Sequence, residues 1–296
     1  MGTVARRRFR RTTPLTAFVL SGGGSLGALQ AGMLRALYER RIVPDMLVAT
    51  SAGALNAAFV ASRPQTLATA DALADLWRRL RRDDIFPVRP WAVAAGMLTR
   101  RDHIVTPDRL RALIAANVEF DDLADSAIPL HVVTFDVARS EEVLLSEGPA
   151  VDALTAAASI PGVLPPVPFG ERRLIDGGVV NNTPVSRALA LGARRIFVLP
   201  TRAVSTPAVV YRHGGLSLGA IALPVLTARR LAPQLARYSA DIVPLPAPNP
   251  LNVVAGDFSQ AERLIADATA AARRRLAEAL DWPSEPLRAD PRFSQA

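Results

Sequence analysis

The sequence predicts an α/β fold: a three-layer α/β/α sandwich around a mostly parallel central sheet. Three observations carry that expectation. Short apolar runs alternate with stretches of helical periodicity in β-α-β-α order, the pattern of parallel strands joined by helices on both faces. Small-residue or glycine-rich turns fall between the first two apolar runs and the helical stretches that follow them. Half of the 296 residues are apolar, enough for a large core and far from a disordered composition.

Residues 16–20 form the first apolar strand, interrupted by Ser21-Gly22-Gly23-Gly24, and residues 25–40 then show helical spacing through Leu26, Leu29, Met33, Leu34 and Leu37. Residues 46–49 are a second strand, followed at once by Thr50-Ser51-Ala52-Gly53 and a helix of small residues to about position 61. Residues 71–82 and 107–117 read as amphipathic helices, the second opening on Pro107, where a missing N–H costs nothing. Strands are expected at 129–136, 142–145 and 195–199, and a long Ala/Arg-rich helix at 258–280. With no internal repeat and no long linker, one domain over residues 14–280 is the simplest organisation. A basic arm (1–13) precedes it, a polar tail (281–296) follows it, and residues 204–240 form an insert.

Composition removes whole classes of chemistry. All 35 basic residues are arginine, so no lysine Schiff base or phosphate-loop lysine is available. Cysteine is absent, which excludes thiol nucleophiles, disulfides and Cys-ligated metals. His103, His131 and His213 lie far apart, so no histidine metal cage is expected, and no cofactor or metal is predicted. His103 and His131 read as structural, the latter on a strand in the core. The net charge of +8 is read chiefly as coding bias, with attraction to anionic surfaces as the second reading. Arg6, Arg7, Arg8, Arg10 and Arg11 form a nucleic-acid arm, a membrane arm or a disordered tail. Export by a twin-arginine signal is rejected, because cleavage behind the following apolar stretch would destroy the glycine loop. Arg6 stands where myristoylation requires Ser or Thr. No apolar run reaches the roughly 18 residues needed to span a bilayer, so a soluble, cytoplasmic chain is expected.

Three loops carry chemistry. The first, Gly22-Gly23-Gly24-Ser25-Leu26-Gly27, turns tightly between strand and helix and exposes N–H groups at a positive helix end, which suits an oxyanion or a phosphate. It also fits a dinucleotide fingerprint with Asp45 as the ribose acid, although Asp45 precedes the second strand instead of ending it. A purely structural turn is the third reading. The second loop, Ala49-Thr50-Ser51-Ala52-Gly53, is a strand-to-helix elbow that lifts a serine oxygen above the sheet; the alternative is Ser51 as an ordinary N-cap. The third, Leu174-Ile175-Asp176-Gly177-Gly178, ends an apolar strand in an acid, and its glycines leave room beside the carboxylate for a partner. Read alone, it is ordinary Asp-Gly turn chemistry. The partner expected for Asp176 is Ser51.

In this order and with this content, the loops resemble the patatin-like phospholipase family. Ala157-Ala158-Ser159-Ile160-Pro161 leading to Leu164-Pro165-Pro166, and Val179-Val180-Asn181-Asn182-Thr183-Pro184-Val185, extend the resemblance over residues 16–199. It implies an oxyanion hole at Gly22, Gly23 and Gly24, a nucleophile at Ser51 and a general base at Asp176. Gly27, Ala49, Gly53, Gly177 and Gly178 support the motifs. The family usually has Arg or Lys where Leu26 stands and Gly where Ala49 stands.

The implied reaction is hydrolysis of a carboxylic ester of a phospholipid or lysophospholipid through an acyl-Ser51 intermediate. A carboxylate of ordinary pKa, about 3.9, is a feeble base toward serine, so Asp176 is expected to be buried. Chain order also permits a Ser51, Asp176, His213 triad, and a catalytically weak lipid-binding protein is a third reading. The apolar residues 214–228, interrupted by Pro224 and followed by Arg229 and Arg230, read either as a lid or membrane-facing surface or as a core helix. Residues 91–98 form a second apolar patch beside arginines. The expected partner is an acyl lipid with peripheral contact to an anionic membrane, and no nucleic acid.

Overall fold

The computed structural model describes residues 15–87, 103–202, 241–248 and 253–279. The basic arm, the 204–240 insert with its apolar stretch, the 91–98 patch, His213 and the polar tail lie outside the described residues.

Strand β1 (Thr16–Leu20) leads through a 3-10 turn (Gly24–Gly27) into α1 (Ala28–Glu39). Strand β2 (Met46–Thr50) runs into α2 (Ala52–Ala61), followed by α3 (Leu67–Arg79), the single turn α4 (Arg82–Ile85) and α5 (Asp108–Asn117). Next come β3 (Leu130–Asp136), β4 (Glu141–Leu145), α6 (Ala150–Ala157), β5 (Val167–Phe169) and β6 (Arg172–Asp176). The described chain closes with α7 (Val185–Ala190), β7 (Arg195–Leu199), β8 (Asp241–Pro244) and α8 (Ala261–Ala279).

The strands form one sheet of order β5-β6-β3-β2-β1-β7-β8, with β4 also paired to β3. The run from β3 through β2, β1 and β7 to β8 is parallel, whereas β4 and β6 meet β3 antiparallel. Alternation along β1 and β2 splits the core between the two faces of the sheet. Phe18, Leu20, Leu47 and Ala49 join the larger core with α1, α2, α3 and α8, while Ala17, Val19, Met46 and Val48 face a smaller one built on α7. The fold is thus mixed α/β, with helices flanking a mostly parallel sheet.

Several boundaries differ from the sequence reading for local reasons. The first helix begins as a 3-10 turn, because Gly24 takes a positive φ of 59° that α-helix geometry does not allow. The third helix starts at Leu67 and ends before Leu80, whose extended ψ of 133° stops it three residues short of position 82. β5, α6, α7 and β8 have three to eight residues each, too few for a periodicity to declare itself. His131 is on β3 as expected but only half-buried instead of in the core. Its Nδ1 lies 2.6 Å from the Ser146 hydroxyl, and partial burial holds its pKa below the usual value.

Candidate active site

The sheet topology brings two distant loops together. Residues 134–136 of β3 pair with both β4 and β6, so these strands occupy opposite edges of β3. Residues 132 and 133 pair with both β4 and β2, which puts β2 on the same edge as β6. The two strands meet along that edge: Thr50, the last residue of β2, pairs with Val133, and Asp176, the last residue of β6, pairs with Thr134. The residue that follows Thr50 therefore arrives beside Asp176.

That residue is Ser51, and its Oγ donates a 2.5 Å hydrogen bond to Asp176 Oδ2. Its backbone sits at φ 55° and ψ −129°, one of only three non-glycine positive φ values among the described residues. Such a conformation costs roughly 1 to 3 kcal/mol and persists only where the surroundings impose it. Here the imposing contact is the passage of α2 over β1: a Cβ on Gly53 would strike the carbonyl oxygens of Leu20 and Ser21. Although Ser51 precedes α2, its side chain makes no capping hydrogen bond, which removes the N-cap reading. Ala49, where the resemblance expects glycine, is fully buried in the larger core.

Asp176 is 5% exposed. Burial drives its pKa up to about 6, against the opposing pull of the Ser51 hydroxyl and the Gly178 N–H, which donates to Oδ1 at 2.8 Å. Its own N–H donates to Ser159 O at 3.0 Å, tying the strand end to the Ala157-Ala158-Ser159 segment. Gly177 and Gly178 fit because neither has a side chain: a Cβ on the first would enter the Val133 carbonyl, and one on the second would lie 3.0 Å from Asp176 Oδ1.

The glycine loop lies against the same serine, since a Cβ on Gly22 would come within 2.9 Å of Ser51 Cβ. The Gly22 N–H is not open to a ligand: it donates to Asn182 O at 3.0 Å, so the expectation that Gly22 supplies an oxyanion donor is corrected. The N–H groups of Gly23 and Gly24 have no partner among the described residues. Gly27 is pressed against the Trp77 ring. Leu26, at the position where the resemblance expects a cation, is fully buried in the core and points no charge at the site. Asp45 Oδ2 accepts the Thr16 N–H at 2.9 Å, at the start of β1, so it lies at the end of the sheet away from the glycine loop and the dinucleotide reading loses its acid.

Several residues around these loops were not singled out as functional from the sequence. Asn182 Nδ2 (3.2 Å) and Thr201 Oγ1 (2.5 Å) both donate to Gly22 O, and Ser21 Oγ lies 2.8 Å from Thr183 Oγ1. Gln30 and Asn56, almost wholly buried, approach the loop from below. Asn182 and Thr183 had a signal in their closeness to Asp176; Gln30 and Asn56, inside apolar helices, had none. No group of three or more His, Asp or Glu side chains suited to a metal forms among the described residues, and no helix there is long and apolar enough to cross a membrane.

The family model described as patatin-like phospholipase matches residues 18–189. Among curated proteins, the chain is 30% identical over 188 residues to a lysophospholipase, NTE1, of Mycosarcoma maydis, covering 61% of this chain and 9% of that protein. It is 30% identical over 206 residues to an uncharacterized NTE family protein of Mycobacterium bovis, covering 67% of this chain and 33% of the other. It therefore spans a third or less of the length of these relatives. Among solved structures, VipD from Legionella pneumophila aligns with a TM-score of 0.49 at 15% identity, over 90% of this chain and 67% of that one.

Proposed function

This chain belongs to the patatin-like phospholipase family, and from that premise we propose that it is a serine acyl hydrolase cleaving carboxylic esters of phospholipids or lysophospholipids. The single observation that carries the reading is the 2.5 Å hydrogen bond from Ser51 Oγ to the buried Asp176 carboxylate.

The chemistry follows from that bond. As Ser51 Oγ attacks the ester carbonyl carbon, its proton passes to Asp176 Oδ2 and the carbonyl oxygen gathers negative charge, which the N–H groups of Gly23 and Gly24 receive. Collapse of the tetrahedral adduct breaks the bond to the alcohol, which leaves with the proton held by Asp176, and the acyl group stays on Ser51. Asp176 then takes a proton from water, whose oxygen attacks the acyl carbon, and the Ser51 oxygen departs as it regains that proton. No histidine is required. With a pKa of about 6, Asp176 is roughly nine-tenths ionised at pH 7 and still a far better proton acceptor than an ordinary carboxylate.

The lysophospholipase name belongs to the fungal relative; for this chain it supports an acyl lipid as substrate, reached from the surface of an anionic membrane by a chain of net charge +8. A panel of acyl chains and head groups, run on wild type beside Ser51→Ala, tests the reading. Release of fatty acid that Ser51→Ala abolishes, with fluorophosphonate labelling of Ser51, is the expected result. Full activity in Ser51→Ala would sink it, and loss of activity in His213→Ala would replace the dyad by a triad.

A further inference from the structure

The glycine loop has a mechanical problem that its own sequence cannot solve. Fixing a backbone costs roughly 1 to 2 kcal/mol per residue, and glycine has the most freedom to lose. A run of three glycines can aim the N–H groups of Gly23 and Gly24 only if both ends of the loop are held. Each end meets a buried amide. Gln30 Nε2 donates to Ser21 O at 2.8 Å, just before the glycines, and to Leu199 O at 2.9 Å on β7. Asn56 Nδ2 donates to Gly27 O at 3.0 Å, where the loop enters α1.

The two amides are joined, and the joint has a direction. Asn56 Nδ2 also donates to Gln30 Oε1 at 2.8 Å, and Asn56 Oδ1 accepts the Trp77 Nε1–H at 2.9 Å. An indole N–H can only donate, so it fixes which end of the Asn56 amide faces it. That choice turns Asn56 Nδ2 toward Gln30 Oε1, which in turn leaves both Gln30 N–H groups for Ser21 O at the mouth of the loop and Leu199 O on the neighbouring β7. Every donor of the two amides is used, and the chain is buried throughout: Gln30 is 0%, Asn56 2% and Trp77 4% exposed. A polar group kept at such depth without a ligand needs a reason.

We propose that Trp77, Asn56 and Gln30 form a directional hydrogen-bond relay whose task is to hold the oxyanion-binding N–H groups of Gly23 and Gly24 in place. These are positioning residues and do not touch substrate. The proposal rests on the Ser51 hydrolase reading and adds to it the origin of the loop's preorganisation. Interactions aimed at charge that appears only in the transition state raise kcat and leave ground-state binding alone. The relay should do the same.

The test uses the full chain and a soluble short-chain ester, with rates normalised to the folded fraction by near-ultraviolet circular dichroism. Gln30→Met, which removes both donors at similar volume, is expected to lower kcat roughly 100-fold, the scale of a displaced catalytic group. Trp77→Phe, which keeps a ring against Phe258 and removes the donor that sets the direction together with part of the indole packed on Gly27, is expected to lower kcat on the order of 10-fold. In both, KM and the midpoint of the pH profile stay at the wild-type values, and fluorophosphonate labelling slows in proportion to kcat. If Gln30→Met does not fold, Trp77→Phe decides alone. Unchanged kcat per folded molecule with a lower Tm, or a raised KM at constant kcat, overturns the relay and leaves the dyad standing. Failure of wild type to label at Ser51 is a separate outcome, seen before any relay variant is compared, and removes both readings.

Discussion

Asp136 and Asp176 end two strands that pair with each other, both side chains lie out of solvent's reach, and their acidities move in opposite directions. For both, burial pushes the pKa upward. At Asp136, just beneath the exposed β3–β4 turn, that push is outweighed by the Ala138 N–H, the Arg139 guanidinium and the Arg139 N–H, which together hold the carboxyl below its usual range. Among the described residues Asp176 has one backbone donor and a serine hydroxyl, and no cation bonded to it, so burial wins. What separates a structural ion from a candidate base is the number of donors supplied: an aspartate saturated with donors gives up basicity, and one left short keeps it.

The contrast can be broken in four ways. The largest effect is expected on chemistry: Ser51→Ala and Asp176→Asn should each lower the rate on a soluble ester by about 10⁴-fold, while Asp136→Asn leaves the rate per folded molecule near wild type. An equal loss in Asp136→Asn would erase the distinction. The second concerns stability. An aspartate whose folded pKa is raised from 3.8 to about 6 favours the folded state below pH 3.8, and that contribution is lost as the pH rises through 6. Above that window the buried charge weighs on the fold by about 3 kcal/mol. Asp176→Asn should therefore raise Tm at pH 8 and leave it nearly unchanged at pH 4, as thermal melts at the two pH values would show; a lower Tm at pH 8 would contradict the assignment.

The third effect is on the rate profile. kcat/KM should fall as Asp176 gains its proton, with a midpoint near pH 6 and roughly a tenfold loss one unit below it. A midpoint near 4 would mean that the base is not buried in the working enzyme. The smallest change is expected from Asp136→Asn, which loses the charge that its donors stabilise. Its Tm should fall at pH 7 and converge on wild type as the pH drops below the depressed pKa of Asp136, the reverse of the Asp176→Asn pattern.

Much of the site was legible because its parts are local. A strand that runs straight into Thr50-Ser51-Ala52-Gly53, and another that ends in Asp176-Gly177-Gly178, announce themselves by residue type and spacing, as does the glycine loop. The state of Gly22 was not legible in this way: its N–H is taken by Asn182, a residue 160 positions away, and no loop's own residues specify that contact. Gln30 and Asn56 gave no sign, since a single amide in an apolar helix reads as an ordinary helical residue until the helix is packed against its neighbours. The Leu26 position was readable as a departure from the family, but not its consequence, which is burial in the core.

By itself, the sequence narrowed which chemistry was open: with no lysine or cysteine and three scattered histidines, most nucleophiles and bases were closed off, leaving hydroxyls and carboxylates as the leading candidates. It also set the elbow at Ser51 and the acid at Asp176, because turn geometry is decided by a few neighbouring residues. The meeting of the two was decided by tertiary structure alone. β6 enters antiparallel on the edge of β3 that β2 has just vacated, and no local pattern specifies which edge a strand takes. The acidity of Asp176 was settled the same way, since burial depends on everything packed around the carboxylate and not on the residues beside it in the chain.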